Sequence, residues 1–276
     1  FMAKQGSNLI LQSRNIAHTE KILSEVKSLG VEAFAVEAEL GCEESVRKML
    51  SAIDALGVNV EIVLNNAGFQ IGYRTDYFKT PIADYTESFK VNTIAPAMIC
   101  YHFLPKMIEN GFGRIVNTTS GIRLEPEQAG YSASKAALDK ITIDLGSKIE
   151  GTDVTISLTD PGWCRTDLGG SKAPNAPESA LPGVIVGAFI DDKKSGRLFS
   201  AGDFYDLSLE EAVAKAENIE VSEEDVKAEI AKMAETYKMD VEKLTDMMGD
   251  EEKKQMKMDM AIEKAVELVT EAAKEV

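Results

Sequence analysis

Histidine is nearly missing from this chain, with only His18 and His102 among 276 residues. A multi-histidine metal site therefore has no ligands to draw on, and both residues read as helix-surface or core side chains rather than catalysts. Cysteine is scarce too. Cys42, Cys100 and Cys164 lie far apart and form no C-x-x-C pair, which sets aside a disulfide framework and a structural zinc site and fits a reducing, cytoplasmic setting. No apolar run reaches the roughly 18 to 20 residues that span a bilayer, so the chain reads as soluble, without a membrane partner. Positive charge is in short supply: 30 Lys and Arg against 46 Asp and Glu leave a net charge of -16, which repels phosphate backbones and argues against nucleic acid. The opening Phe1-Met2 carries no basic-then-apolar leader, and a leading Phe is an unusual translational start.

What is present is an alternation of short β-branched and aliphatic runs with helical patterns. The runs cover 8–13, 33–37, 61–65, 114–119 and 154–159, and the helical patterns about 17–29, 43–56, 84–109 and 130–149. Apolar residues recur in the latter at three- and four-residue spacing, so the expected architecture is βαβ units around a parallel sheet. The stretch from Gly162 to Gly183 is rich in Gly, Pro, Ser and Asn; it is too long for an ordinary connection and is a candidate lid, or a plain mobile loop. Leu181 to Ile190 is expected to form a helix that packs back on the sheet, and Ser195 to Ser200 a turn and a last strand.

After Asp206 the composition changes, which divides the chain into 1–206 and 207–276. The second part holds 20 acidic residues against 10 lysines and no arginine, together with seven of the eleven methionines. Ser208-Leu209-Glu210-Glu211 and Ser222-Glu223-Glu224-Asp225 have the form of helix starts, a hydroxyl followed three residues later by an acid. Val226, Ile230, Met233 and Tyr237, then Met258, Ile262, Ala265, Val266 and Val269, make stripes on two amphipathic helices.

Tyr131 and Lys135 are four residues apart in a helical pattern, hence on one face. Ser120 ends the run from Arg114, at the carboxyl edge where open α/β sheets build their sites. Asn65-Asn66-Ala67-Gly68 ends the preceding strand, Asn92 lies in the following helix, and Asp160-Pro161-Gly162 ends the strand after the Tyr/Lys helix. Thr119 is a rival to Ser120, because only eleven positions separate Ser120 from Tyr131. At the end of the first strand, Gln12-Ser13-Arg14 offers no acid for an adenosine ribose, and Arg14 can meet a 2'-phosphate or simply face solvent.

In this order the Asn-Asn-Ala-Gly, helix Asn, strand-end Ser, Tyr-x-x-x-Lys and Pro-Gly motifs resemble the short-chain dehydrogenase/reductase family over about residues 1 to 217. The resemblance extends to Ser195–Ser200 and to the run from Ser208 to Lys215. It implies a Rossmann-like, doubly wound parallel sheet and an oxidoreductase that interconverts a small-molecule carbonyl and an alcohol with NADP, or NAD. Tyr131 would then be the general acid or base, its pKa lowered by the Lys135 ammonium. Lys135 would hold the nicotinamide ribose, Ser120 would polarise the carbonyl, and Asn92 would support a water relay. Arg14, Glu39, Leu40, Asn66, Ala67, Gly68, Pro161, Gly162 and Thr166 would line the cofactor, Glu39-Leu40 standing where the family usually has an aspartate. A homo-oligomer formed through the helices at 84–109 and 130–149 is implied as well.

The family's first strand and its Thr-Gly-x-x-x-Gly-x-Gly turn would precede these elements, and no such glycine cluster occurs in the chain. Phe1 to Gly6 look like the tail of the helix that follows that turn. The expectation is a doubly wound sheet lacking its first strand, a fragment or the product of a broken gene, with two unpaired edges and impaired cofactor affinity. From about Asn218 the chain resembles the C-terminal chaperone domain of bacterial trigger factor. That implies a non-enzymatic alternative in which the helices hold unfolded polypeptide, with Met233, Met239, Met247, Met248, Met256 and Met258 either serving as an adaptable surface or packing the helices together.

Overall fold

A computed structural model describes residues 1–272 of the chain. Six strands follow the expected runs: β1 (Leu9–Ser13), β2 (Ala33–Glu37), β3 (Ile62–Asn65), β4 (Gly113–Thr118), β5 (Val154–Asp160) and β6 (Leu198–Ser200). The helices between them are α1 (Glu20–Ser28), α2 (Glu43–Asp54), α3 (Ile82–Phe89), α4 (Ala95–Asn110) and α5 (Ala129–Ile149). A π-helical turn, Lys90–Ile94, joins α3 to α4, and Gly111 closes α4 in the left-handed conformation that only glycine adopts without steric cost.

All strand pairs are parallel, yet the sheet is in two pieces: β1 pairs with β2, and β3-β4-β5-β6 form a second sheet. No hydrogen-bonded ladder joins β1 to β3, the place where the family's first strand is expected. The pieces are joined instead by side chains. Val36 of β2, with Ile10 of β1 beside it, shares one apolar cluster with Val63, Ile115 and Ile156 of the larger sheet, over Val46, Leu50 and Ile53 of α2 and Phe103, Leu104 and Met107 of α4.

The opposite faces are covered separately. Ala3, Val26 and Ala33 pack beneath β1 and β2, whereas Val186, Ile190 and Phe199 pack beneath β4 to β6. Between them Leu64 of β3 remains 38% exposed and every residue of β1 is only half-buried. β4 is central in its sheet, and Gly113 to Asn117 are all buried, as expected of a parallel strand covered on both faces.

Leu181 to Ile190 do not form the expected α-helix. Among them only Val186–Ala188 is helical, and that is a 3-10 turn. Pro182 removes a donor, and Gly187 lies so close to β5 that an added Cβ would sit 2.3 Å from the Ser157 hydroxyl. Ile185, Val186, Ala188 and Ile190 are nonetheless buried, so the segment packs on the sheet through irregular backbone.

The C-terminal part is helical: α6 (Leu209–Ala216), α7 (Glu223–Tyr237), α8 (Val241–Met247) and α9 (Asp250–Ala272). Both expected starts are capping boxes, Ser208 with Glu211 and Ser222 with Asp225. Val226 and Ile230 are buried as their stripe requires, while Tyr237, Met258 and Val266 are exposed. The side chain of Val269 lies outside the described residues. Met233, Met239, Met248 and Met256 are half-buried, and Met247 and Met258 exposed. α6 packs through Leu209, Ala212 and Val213 against Val186, Phe199 and Phe204, with Ala265 of α9 on its other side. Among the described residues no helix is long and apolar enough to cross a membrane.

Because β1 and β2 are held to the larger sheet by side chains alone, their amides are expected to exchange through a smaller opening free energy than those of β4 and β5. Native-state hydrogen exchange checks this, and equal protection in all four strands would show a single cooperative sheet.

Candidate active site

The carboxyl ends of β3, β4 and β5 are brought level by the parallel register, in which Asn65 faces Asn117 across the ladder. Asn65 Nδ2 donates to Asn117 Oδ1 at 2.8 Å, and Asn117 Nδ2 donates to Thr142 Oγ1 of α5 at 2.9 Å. This buried polar chain fixes α5 against the strand ends, where a half-satisfied amide would cost about 1–3 kcal/mol. Gly130, the residue before Tyr131, packs so tightly on α3 that an added Cβ would lie 2.8 Å from the Asp84 carbonyl oxygen. The start of α5 is thereby fixed as well.

Tyr131 and Lys135 are both buried on the inner face of α5. Ser120 acts on the Tyr131 phenol to lower its pKa, and Lys135 Nζ donates to the Thr118 carbonyl oxygen at 2.7 Å. Thr119 has a different partner: its hydroxyl donates to Asp139 Oδ1, and its backbone N–H to Thr159 O at 2.8 Å. The Thr119 hydroxyl is thus committed to Asp139, whereas the Ser120 hydroxyl accepts from Ile122 N at 3.3 Å.

Asn92, in the π turn, accepts from Phe69 N through Oδ1 at 2.7 Å and donates from Nδ2 to Phe69 O at 2.7 Å and to Ser134 Oγ at 3.0 Å. Its carboxamide clamps the loop after β3.

Around Gly68 the loop, the helix and the lid meet. A Cβ placed on Gly68 would lie 3.5 Å from Leu168 Cδ1, 3.8 Å from Lys135 Nζ and 3.9 Å from Asn92 Oδ1. Asn66, Ala67 and Gly68 are exposed beside this point, as is Gly162, whose positive φ follows from its turn, with Asp160 Oδ1 accepting from its N–H at 2.9 Å. Pro161 is half-buried next to it. Thr166 lies in the lid, where its hydroxyl accepts from Gly169 N at 3.1 Å.

The residues expected at the adenosine end lie on the smaller sheet, across the break. Arg14 is exposed after β1 and has no ion-pair partner among the described residues. Glu39 is exposed, one of its oxygens accepting from Gly41 N at 3.0 Å. Leu40 is buried in the main apolar cluster, which leaves only its backbone for a ligand.

Charge at the site departs from the sequence expectation. Burial pushes the Tyr131 phenol above its ordinary value, opposed by the Ser120 hydrogen bond and aided by the Asp160 carboxylate. The direction is opposite to the expected lowering, because burial outweighs the other effects on the phenol. Burial pushes Lys135 itself down to about 8, with Asp139 acting in the other direction.

These features match known proteins over most of the chain. The short chain dehydrogenase family pattern fits residues 1–177. The chain belongs to the short-chain dehydrogenase family. A 3-oxoacyl-[acyl-carrier-protein] reductase of Aquifex aeolicus is 31% identical over 170 residues, 60% of this chain and 68% of the reductase. An NAD+-bound xylitol dehydrogenase shares the fold at a TM-score of 0.62 and 21% identity, covering 72% of this chain and 89% of that one. The first curated dehydrogenase relatives are spanned over 57% to 70% of their length. Residues 207–271 fit the C-terminal region of bacterial trigger factor, so this match takes in the Ser208 to Lys215 run that the sequence reading left with the dehydrogenase. The trigger factor of Lachnoclostridium phytofermentans is 54% identical over 66 residues, 24% of this chain and 15% of that protein.

Asp139 and Asp160 were not singled out as site residues from sequence. The four-residue spacing of Asp139 from Lys135 was the available signal; the approach of Asp160 to Tyr131 depends on strand register and had none.

A lysine whose folded pKa is depressed to about 8 from 10.5 destabilises the fold while it stays charged. Between pH 8 and 10.5 the unfolded chain binds the extra proton, so stability rises with pH through that window. Compared with Lys135→Met, the wild-type chain is expected to gain stability across this range, measured by urea denaturation at several pH values. A constant difference between the two would exclude a depressed Lys135.

Proposed function

We propose that the α/β part interconverts a carbonyl and an alcohol by hydride transfer, with Tyr131 as the proton-transfer group. The carrying observation is that Tyr131 and Lys135 are buried one turn apart on α5, with Lys135 tied to the end of β4 next to Ser120 and close to the exposed Gly68. A phenol held above its ordinary pKa is neutral at pH 7 and suited to donate. In the reducing direction the Tyr131 hydroxyl gives its proton to the substrate oxygen while Ser120 hydrogen-bonds that oxygen and polarises the carbonyl.

A nicotinamide cofactor supplies the hydride. Asn66, Ala67, Gly68, Pro161, Gly162 and Thr166 fit its nicotinamide end, because glycine at 68 leaves the backbone open toward Lys135. Lys135 is placed to bind the ribose hydroxyls and to support negative charge on the phenol, and Asn92 acts by holding the Phe69 loop. Arg14, exposed and without an acid partner, favours NADP over NAD.

The phosphate end is less well served, since the chain contains no glycine-rich turn and the sheet is open between β1 and β3. Adding a strand with a Thr-Gly-x-x-x-Gly-x-Gly turn ahead of Phe1 is expected to produce NADPH binding measurable by fluorescence. No gain with the fold intact would overturn the reading. In that extended protein Tyr131→Phe is expected to lower turnover at least about 100-fold, the usual scale of general acid catalysis, with cofactor binding spared. Arg14→Ala should weaken NADPH more than NADH.

The 54% identity to a trigger factor over 66 residues favours a second reading, binding of unfolded polypeptide by the C-terminal helices. Its test uses the whole chain, because α6 shares its core with the α/β part. Suppression of the aggregation of a denatured model protein is the expected result, and none at a several-fold excess would exclude this role.

A further inference from the structure

Asp139 lies on α5 one turn beyond Lys135, on the same helix face, and its side chain is half-buried among charged groups. Lys135 faces it from its own helix, Asp160 from the end of β5, and Arg123 from the loop after β4. Its Oδ1 accepts the Thr119 hydroxyl. Thr119 is the neighbour of both groups that matter: Thr118, whose carbonyl oxygen holds Lys135 Nζ, and Ser120, which acts to lower the Tyr131 pKa. Its backbone is already tied to β5.

We propose that Asp139 is a positioning residue for the proton-transfer group, pinning the Thr119 hydroxyl and placing a carboxylate one helical turn from the Lys135 ammonium, which is held on the Thr118 carbonyl. It touches none of the reacting atoms and acts through two neighbours.

Two physical arguments support this. A charged amine taken out of water is stable only beside a compensating charge, and the carboxylate acting on Lys135 comes from Asp139. Asp160 adds a second negative charge near Tyr131 and Asp139, but its Oδ1 is bound to Gly162 N and an added Cβ on Gly121 would lie 2.6 Å from its Oδ2, so it belongs to the turn after β5. The second argument is the choice between hydroxyls. Thr119 and Ser120 are adjacent at the strand end, and a threonine hydroxyl fixed by a carboxylate cannot rotate to compete for the phenol or the substrate oxygen. Asp139 itself is held above the ordinary carboxylate range by burial, opposed by the Thr119 bond, Lys135 and Arg123, so its charge is sensitive to exactly these partners.

This inference rests on the reading of Tyr131 as proton donor, but its experiment does not require turnover. The full chain carrying 13Cε-lysine is titrated by NMR, the Lys135 resonance being the one that Lys135→Met removes. Asp139→Asn is expected to lower the Lys135 midpoint by about one pKa unit, the scale of a single partly screened charge at this range. Asp139→Glu should restore it. Thr119→Val, which removes the hydroxyl and keeps the carboxylate, should move the midpoint by much less and guards against a general loss of packing. An unchanged midpoint in Asp139→Asn, or an equal fall in Thr119→Val, overturns the proposal while leaving the role of Tyr131 untouched. Retention of turnover by Tyr131→Phe in the extended protein would remove that role without moving the Lys135 titration.

Discussion

One apolar layer holds this protein together where hydrogen bonding does not. Val36 and Ile10 on the smaller sheet meet Val63, Ile115 and Ile156 on the larger one over the same faces of α2 and α4. Burying a side chain of this kind contributes about 1.5–3 kcal/mol, is non-directional, and tolerates a break in the ladder that backbone pairing would not. The positions of Arg14 and Glu39 relative to Tyr131 are therefore set by side-chain packing across a gap. The two ends of the candidate cofactor cleft are not built on one continuous ladder.

The end that holds Tyr131 and Lys135 is organised on the opposite principle, by polar groups buried with named partners. Asn65, Asn117 and Thr142 form a chain beneath it, Asn92 clamps the Phe69 loop, and Thr119 is bound to Asp139. Each bond adds little net stability, yet each would be costly to leave half-made. Cost enforces geometry here. The same burial that fixes Tyr131 and Lys135 also raises the one pKa and lowers the other, so that near pH 7 a neutral phenol lies on the same helix face as a weakened ammonium.

Much of the fold could be read from the sequence because its signals are local. The β-branched runs became strands within one or two residues, and Ser208 and Ser222 became caps because a hydroxyl three residues before an acid satisfies two free N–H groups at once. The break between β1 and β3 was likewise expected from the missing glycine turn. Leu181 to Ile190 misled because apolar spacing describes burial, and burial here is achieved by irregular backbone pressed on Ser157. At the site, Ser120, Tyr131, Lys135 and Gly68 were legible from order and spacing. Where the ammonium and the Thr119 hydroxyl bond were not, since both depend on side-chain rotation against a strand end.

α6 lies within the stretch that matches trigger factor, yet Leu209 and Val213 fill the floor under β6 together with Val186, Phe199 and Phe204. Two ancestries thus meet inside one hydrophobic interior. A cut at the compositional boundary would leave an uncovered oily surface on both products, so severing the chain there would trade one shared interior for two sticky faces.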